Sequence, residues 1–226
     1  MGTDGFDTAI VDLDGTLVDS TYQHVLAWSQ AFTQVGTHVD SWQIHRHIGM
    51  GGDRLVEAVT NGAVEVSVGD TIRSLWKHNY DLLLRYVRPL DGAGELLVEL
   101  RRRNLKVVIA SSGDPHHTER TLRLLGMDQR PPVVDANDAE ASKPAPDLVQ
   151  AAMRRAESSR AVMIGDTVWD VEAARRCGVP SLVVRTGGMD DSTFQAAAGI
   201  FSTPRDLASR LDEALHAASN SPHGSA

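Results

Sequence analysis

The sequence predicts an α/β fold: an open parallel sheet flanked by helices, with a helical block inserted after the first strand. Two observations carry this. Five short β-rich apolar runs recur along the 226 residues, most followed by turn residues and a helical pattern. Strands alternating with helices build parallel sheets through right-handed crossovers. Between the first and second runs lie about 70 residues with helical periodicity and no convincing strand, too long for an ordinary crossover.

The five runs are Thr8–Leu13, Lys106–Ala110, Pro132–Asp135, Ala161–Ile164 and Ser181–Val184. The third is short and polar-flanked, which marks it as an edge strand. In the inserted block, Tyr22–Val35 places Val25, Leu26, Trp28, Ala31, Phe32 and Val35 near a 3.6-residue spacing, and Gly36 is its stop signal. Further helical patterns cover Trp42–His47, Asp53–Asn61 and Val68–Tyr86, and Arg88–Gly92 marks the return to the sheet. The expected division is a discontinuous core of residues 1–19 and 89–216, a helical domain of residues 20–88, and a disordered tail of residues 217–226, rich in Ala, Ser, Asn and Gly.

Composition narrows the function. A formal net charge of −8 excludes the basic footprint of a nucleic-acid binder. An anionic substrate would need a local cation. The single cysteine, Cys177, rules out an intrachain disulfide framework and fits a reducing compartment. The start, MGTDGFD, carries no leader pattern, and no apolar run approaches the roughly 20 residues of a spanning helix. The expectation is a cytoplasmic, soluble protein, monomeric or homodimeric, without membrane or nucleic-acid partners.

Ligands of open parallel sheets bind at the carboxyl ends of the strands, and those ends carry the polar residues. The first run ends in Asp12-Leu-Asp14-Gly-Thr16, the second in Ser111-Ser112-Gly113-Asp114, and the fourth in Gly165-Asp166-Thr167, with Asp170 four residues after Asp166. Ser142-Lys143-Pro144 precedes the helix before that fourth run. Asp12 and Asp14, two apart at a strand end, share one side. One can attack while the other moves a proton. Asp166 can hold a divalent cation against Asp12, and hard oxygen donors without a nearby thiol favour Mg²⁺ over zinc. Ser111 with the Ser112 and Gly113 amides offers a phosphate cradle at a helix start. Lys143 supplies the local positive charge. It is one of three lysines among 22 basic residues, which hints that a compact charge is wanted there.

Together these segments resemble the haloacid dehalogenase-like (HAD) hydrolase superfamily. The matching motifs are DLDGT at Asp12–Thr16, the strand ending in Ser111, Lys143-Pro in SKPAPD, and GDTVWD at Gly165–Asp170. The resemblance implies a Rossmann-like core with an inserted α-helical cap domain, as in phosphoglycolate phosphatases and β-phosphoglucomutases. It implies Asp12 as the nucleophile that forms an aspartyl-phosphate, and Asp14 as general acid and then base. Mg²⁺ would be held by Asp12, the Asp14 carbonyl and Asp166, with Asp170 as a further or water-mediated partner. Ser111 and Lys143 would hold the phosphoryl group. The dehalogenase branch lacks an aspartate at the position of Asp14, so the resemblance favours phosphoryl chemistry.

Specificity is expected from the cap. Its candidates are His24, Trp28, Arg46 and the glycine-rich Gly49–Gly52, with Gly51 at its centre. His24 and Trp28 are four apart and share a helix face; His45 and His47, two apart, do not converge on a metal. The segment Arg185–Asp191 is expected at the rim, outside the chemistry. The leading expectation is a Mg²⁺-dependent phosphatase of a small phosphorylated metabolite. A sugar phosphomutase and a phospho-accepting signalling domain are the alternatives.

Overall fold

The computed structural model describes residues 5–127 and 129–221. The chain enters as β1 (Thr8–Val11), followed by the short β2 (Val18–Asp19). Four helices follow: α1 (Thr21–Gln34), α2 (Ser41–His47), α3 (Gly52–Val59) and α4 (Gly62–Leu83), the last continuing into a 3₁₀ turn at Leu84–Tyr86. The chain returns through β3 (Arg88–Pro89), α5 (Ala93–Arg102), β4 (Lys106–Ala110), α6 (Pro115–Leu124), β5 (Val133–Val134) and α7 (Asp147–Ala156). It closes with β6 (Ala161–Gly165), α8 (Val168–Arg176), β7 (Ser181–Val184), β8 (Gly199–Phe201), α9 (Pro204–Ser209) and α10 (Leu211–Ser219).

Six strands form one parallel, Rossmann-like sheet in the order β5-β4-β1-β6-β7-β8. The β1 strand is central: Thr8 pairs with Lys106 of β4 on one side and Ala161 of β6 on the other. Both faces are covered, which is why the strands read as unbroken apolar runs. Alternate residues sort to opposite faces. Ile10, Val108, Ala110 and Met163 pack with Leu148, Ala152, Ala173 and Ala174 of α7 and α8. Ala9, Val11, Val107, Ile109 and Ile164 pack in the cluster that holds Leu96, Leu97 and Leu100 of α5, Leu207 of α9 and Leu211 of α10. That second cluster continues through Leu13, Leu17 and Val18 into the helical block.

Within the block, α1 and α4 run antiparallel with matched ring pairs. Trp28 stacks on Trp76 at 4.7 Å and His24 on Tyr80 at 3.8 Å between centroids. The block leaves and rejoins the sheet through the β2–β3 ladder, Val18 opposite Pro89 and Asp19 opposite Arg88. Two residues per strand are too few to show a period of two, so this pairing was not expected.

The other departures have local causes. The β5 strand lies at one edge, as expected, but the opposite edge is β8, whose Gly199-Ile-Phe201 is too short to register as a run. Ala217–Ser219, expected to open the disordered tail, belong instead to α10, and Ala218 is fully buried. The Ala and Ser content that suggested disorder here serves close helix packing. Residues 222–226 of that tail lie outside the described residues.

The entry to β1 is clamped by Asp7. Its carboxylate accepts hydrogen bonds from Ser158 Oγ at 2.6 Å, Ser159 N at 2.8 Å and Ser159 Oγ at 2.7 Å, in the loop that leads into β6. Burial would raise the Asp7 pKa, but the serine donors outweigh it and hold it below its ordinary 3.8. A depressed carboxylate stabilises the fold above its unfolded pKa, and that contribution disappears as pH falls through the folded value. Asp7→Asn should therefore destabilise the protein by about 1–2 kcal/mol at pH 7. The difference should narrow below the ordinary 3.8, as read by urea unfolding at pH 7 and pH 3.

Candidate active site

Four chain segments meet at the carboxyl edge of the sheet. Asp12 follows β1, Ser111 follows β4, Asp166 follows β6, and Lys143 comes from the loop before α7. Parallel register sets this convergence: β1 is hydrogen-bonded to both β4 and β6, so their ends emerge side by side.

Lys143 is the centre of the cluster, with a side chain only 1% exposed. Its Nζ donates to Asp12 Oδ1 in a short contact, lies 2.6 Å from Asp170 Oδ1, and donates to the Ala110 carbonyl at 3.1 Å. Burial alone would lower the lysine pKa, but Asp12 and Asp170 raise it above its ordinary value. Burial pushes Asp12 upward against the pull of Lys143. Burial, and then the charges of Asp12 and Asp170, push Asp166 well above the usual carboxylate range.

The carboxylates are held differently. Asp170 lies in the first turn of α8 and closes a capping box: its Oδ2 accepts from Thr167 N at 3.1 Å and Thr167 Oγ1 at 2.6 Å. With Oδ1 against Lys143, both its oxygens are engaged. Asp166 Oδ1 accepts from Thr16 Oγ1 at 2.8 Å, while its Oδ2 is buried without a hydrogen-bond partner. Asp12, Asp166 and Asp170 can each bring one oxygen within 4.8 Å of the others. A divalent cation fits this donor set, because an unpartnered buried carboxylate oxygen is costly and hard oxygens suit such an ion.

Asp14 occupies the turn after β1, where Gly15 adopts φ +81°. A side chain at Gly15 would collide with the Asp166 carboxylate and the Thr21 hydroxyl. Asp14 Oδ1 accepts from Ser20 Oγ at 2.7 Å and lies 3.2 Å from His24 Nε2. Burial would raise the Asp14 pKa, but His24 and then Ser20 outweigh it and hold it low. Two carboxylates two residues apart thus have opposite tendencies.

Ser111 is 1% exposed, and its Oγ accepts from Gly113 N at 3.1 Å and Thr118 Oγ1 at 3.3 Å. This corrects one expectation. The Gly113 amide is committed to Ser111 and is not part of a free cradle. The α6 helix starts at Pro115, capped by Asp114, which accepts from His116 N.

The cavity beside Asp12 and Asp14 is narrow, about 40 Å³, and is lined by His24, Trp28, Met50, Trp76, Ser112 and Gly113 among others. It shares Gly52, Trp76 and Ser112 with a larger cavity of about 270 Å³ that reaches Arg73, Lys77 and Asn137. His24 and Trp28 therefore line the narrow cavity. Arg46 does not. It is exposed, lies over the Trp42 ring at 5.3 Å, and lines a different cavity with His47 and Trp169. Its position on α2 turns it outward. Gly51 faces Ser142 instead of lining the narrow cavity. Trp76 was missed. The signal for Trp76 was the i,i+4 pair Trp76–Tyr80, which matches His24–Trp28. The Arg185–Asp191 loop is closer than a rim: Thr186 Oγ1 donates to Gly15 O at 2.5 Å, and Gly187 leaves no room for a Cβ beside Asp166.

The comparisons agree with this geometry. Residues 6–178 match a family model described as haloacid dehalogenase-like hydrolase. A crystal structure of a hydrolase from Pseudomonas syringae superposes with a TM-score of 0.87 at 34% identity, covering 91% of this chain and 98% of that one. An N-acetylmuramic acid 6-phosphate phosphatase of Pseudomonas aeruginosa is 27% identical over 91% of this chain and 95% of its own length. A β-phosphoglucomutase of Bacillus subtilis is 28% identical over 79% and 83%. Among the described residues no helix is long and apolar enough to cross a membrane.

Removing the buried cation should expose the strain among the carboxylates. Lys143→Met should cost about 3–5 kcal/mol at pH 7. Added Mg²⁺ should recover part of that loss, as read by urea unfolding with and without the ion.

Proposed function

The chain belongs to the haloacid dehalogenase-like hydrolase family, and we propose that it is a Mg²⁺-dependent phosphatase of a small phosphorylated metabolite. The observation that carries the reading is the buried Lys143–Asp12–Asp166 cluster beside a second carboxylate, Asp14, held in a different state. Phosphoryl transfer needs positioning and charge neutralisation more than elaborate covalent chemistry.

In the first half-reaction an Asp12 carboxylate oxygen attacks phosphorus, and the bond from phosphorus to the leaving oxygen breaks. Asp14 gives its proton to that oxygen. In the second, Asp14 takes a proton from water. The water oxygen attacks phosphorus, the bond from Asp12 to phosphorus breaks, and inorganic phosphate leaves. His24 and Ser20 favour the carboxylate form of Asp14, suited to the second step. The charge of a bound phosphoryl group acts the other way and favours the protonated form needed first.

Asp12 and Asp166 would hold the Mg²⁺, with Asp166 Oδ2 as the unspent donor. Asp170, engaged by Lys143 and Thr167, would act through the lysine. When bound, the ion offsets the repulsion between carboxylate nucleophile and phosphoryl oxygens. Ser111 and Lys143 would orient those oxygens. Helices α1–α4 would act as the cap, with Trp28 and Trp76 walling the leaving-group side and Arg73 and Lys77 reaching into the wider cavity.

Both phosphatases and a phosphomutase are among the relatives. The mutase reading predicts conversion of a sugar phosphate without stoichiometric phosphate release, so a phosphate-release screen over phosphorylated metabolites separates the two. Membership of a hydrolase family sets aside the phospho-accepting signalling domain.

Asp12→Asn should abolish hydrolysis of an aryl phosphate with an unchanged circular dichroism spectrum, and excess chelator should silence the wild type until Mg²⁺ is restored. Activity that survives either treatment would contradict the nucleophile or the metal. His24→Ala should reduce turnover of every substrate, aryl phosphate included, by roughly tenfold or more, because it acts through Asp14. Arg46→Ala should remain near wild type on the same panel.

A further inference from the structure

The loop that carries Lys143 is tied to the helical block by the residue just before it. Ser142 is 9% exposed. Its Oγ accepts from Gly51 N at 3.0 Å, and its own N–H donates to Asp53 Oδ2 at 3.3 Å. The Ser142 hydroxyl in turn donates to the Lys143 carbonyl at 3.5 Å. The sequence Gly51 N–H, Ser142 O–H, Lys143 C=O is thus continuous. The approach is close enough to exclude a side chain at Gly51: a Cβ there would stand 2.6 Å from Ser142 Cβ. Both donors and acceptors on the block side belong to the start of α3, and both partners on the core side belong to one residue.

Other contacts between the block and the core among the described residues lie away from this loop. Lys77 pairs with Asp114 at 2.7 Å, Arg120 with Asp81 at 2.5 Å, and His45 Nε2 meets Gly187 O at 2.8 Å. Only the α3 start among these touches the backbone that sets where Lys143 begins.

We propose that Ser142 and Asp53 are positioning residues that make the seating of Lys143 depend on the docking of the α3 loop. The inference rests on the phosphatase reading. With the loop docked, the Ser142–Lys143 backbone is fixed, and the ammonium is delivered to Asp12 and Asp170 at the correct reach. With the loop undocked, Lys143 loses that anchor, and phosphoryl oxygens meet a less well placed cation. Small displacements of a charge that acts in the transition state lower kcat more than they raise KM.

The test uses the full chain, Mg²⁺ and an aryl phosphate that makes no use of the wider cavity. Ser142→Ala and Asp53→Ala should each lower kcat by about three- to tenfold, with KM little changed. The double variant should lose no more than either single one, because both act on one unit. Asp53→Asn, which keeps an acceptor for Ser142 N–H, should restore most of the rate. Arg120→Ala, which breaks a block–core pair elsewhere, should leave kcat unchanged. Unchanged kcat in Ser142→Ala or Asp53→Ala, a rise in KM alone, additive losses, equal losses in Asp53→Asn and Asp53→Ala, or the same loss in Arg120→Ala would each overturn the proposal. A wild-type protein without phosphatase activity would instead overturn the functional reading beneath it.

Discussion

A single buried ammonium among carboxylates from distant parts of the chain is the constraint around which the site is arranged. Lys143 reaches Asp12, 131 residues earlier in sequence, and Asp170. Neither the lysine nor its partners tolerate burial alone, since an uncompensated charge in the interior costs several kcal/mol. The sheet must therefore place three strand ends and one loop to within hydrogen-bonding distance. It does so through register. With β1 pairing on both sides, a slip of one residue would turn Asp12 to the opposite face, away from Lys143. The Asp7 clamp at the other end of β1 acts on the same variable, fixing where the strand starts against the β6 loop.

What was legible in the sequence follows from how strongly each residue is constrained. The central strands were readable because both faces are buried and the runs are therefore apolar throughout. The positions of Asp12, Ser111 and Asp166 just beyond β1, β4 and β6 were readable because strand ends are where such a sheet gathers ligands. Features resting on two or three residues, such as the β2–β3 ladder and β8, left no periodic trace. Arg46 misled because being on a helix near the site does not settle which way a side chain turns. The Gly113 amide misled because its commitment to Ser111 is a local bend that composition does not encode. Ser142 carries no sequence signal beyond its place beside Lys143, and its links to Gly51 and Asp53 span 91 and 89 residues that no local pattern connects.

The helical block contributes more than a wall. Its α1 helix brings His24 against Asp14, and α4 brings Tyr80 flat against the other side of that histidine. The stacked ring restricts how His24 can turn, so the donor that holds Asp14 low is itself held by packing. The α3 start meets the loop of Lys143. Both acids and the cation are thus supported from the block as well as from the sheet, although none of the three belongs to it. A change in the block can accordingly alter how Asp14 and Lys143 are held without touching either residue.

The choice of lysine at position 143 is explained by the geometry of its acceptors. Asp12 Oδ1, Asp170 Oδ1 and Ala110 O come from three different elements and surround one point. A compact ammonium with three donors can satisfy such a set, whereas the planar fork of an arginine matches acceptors lying side by side. That same compactness leaves a deficit. Fully ionised, Asp12, Asp166 and Asp170 carry three negative charges against one positive, before any phosphoryl group arrives. The upward pressure on Asp12 and Asp166 and the unpartnered Asp166 Oδ2 are two expressions of that deficit. A monovalent cation would still leave the cluster negative. A divalent cation beside Asp12 and Asp166 would bring it to neutrality.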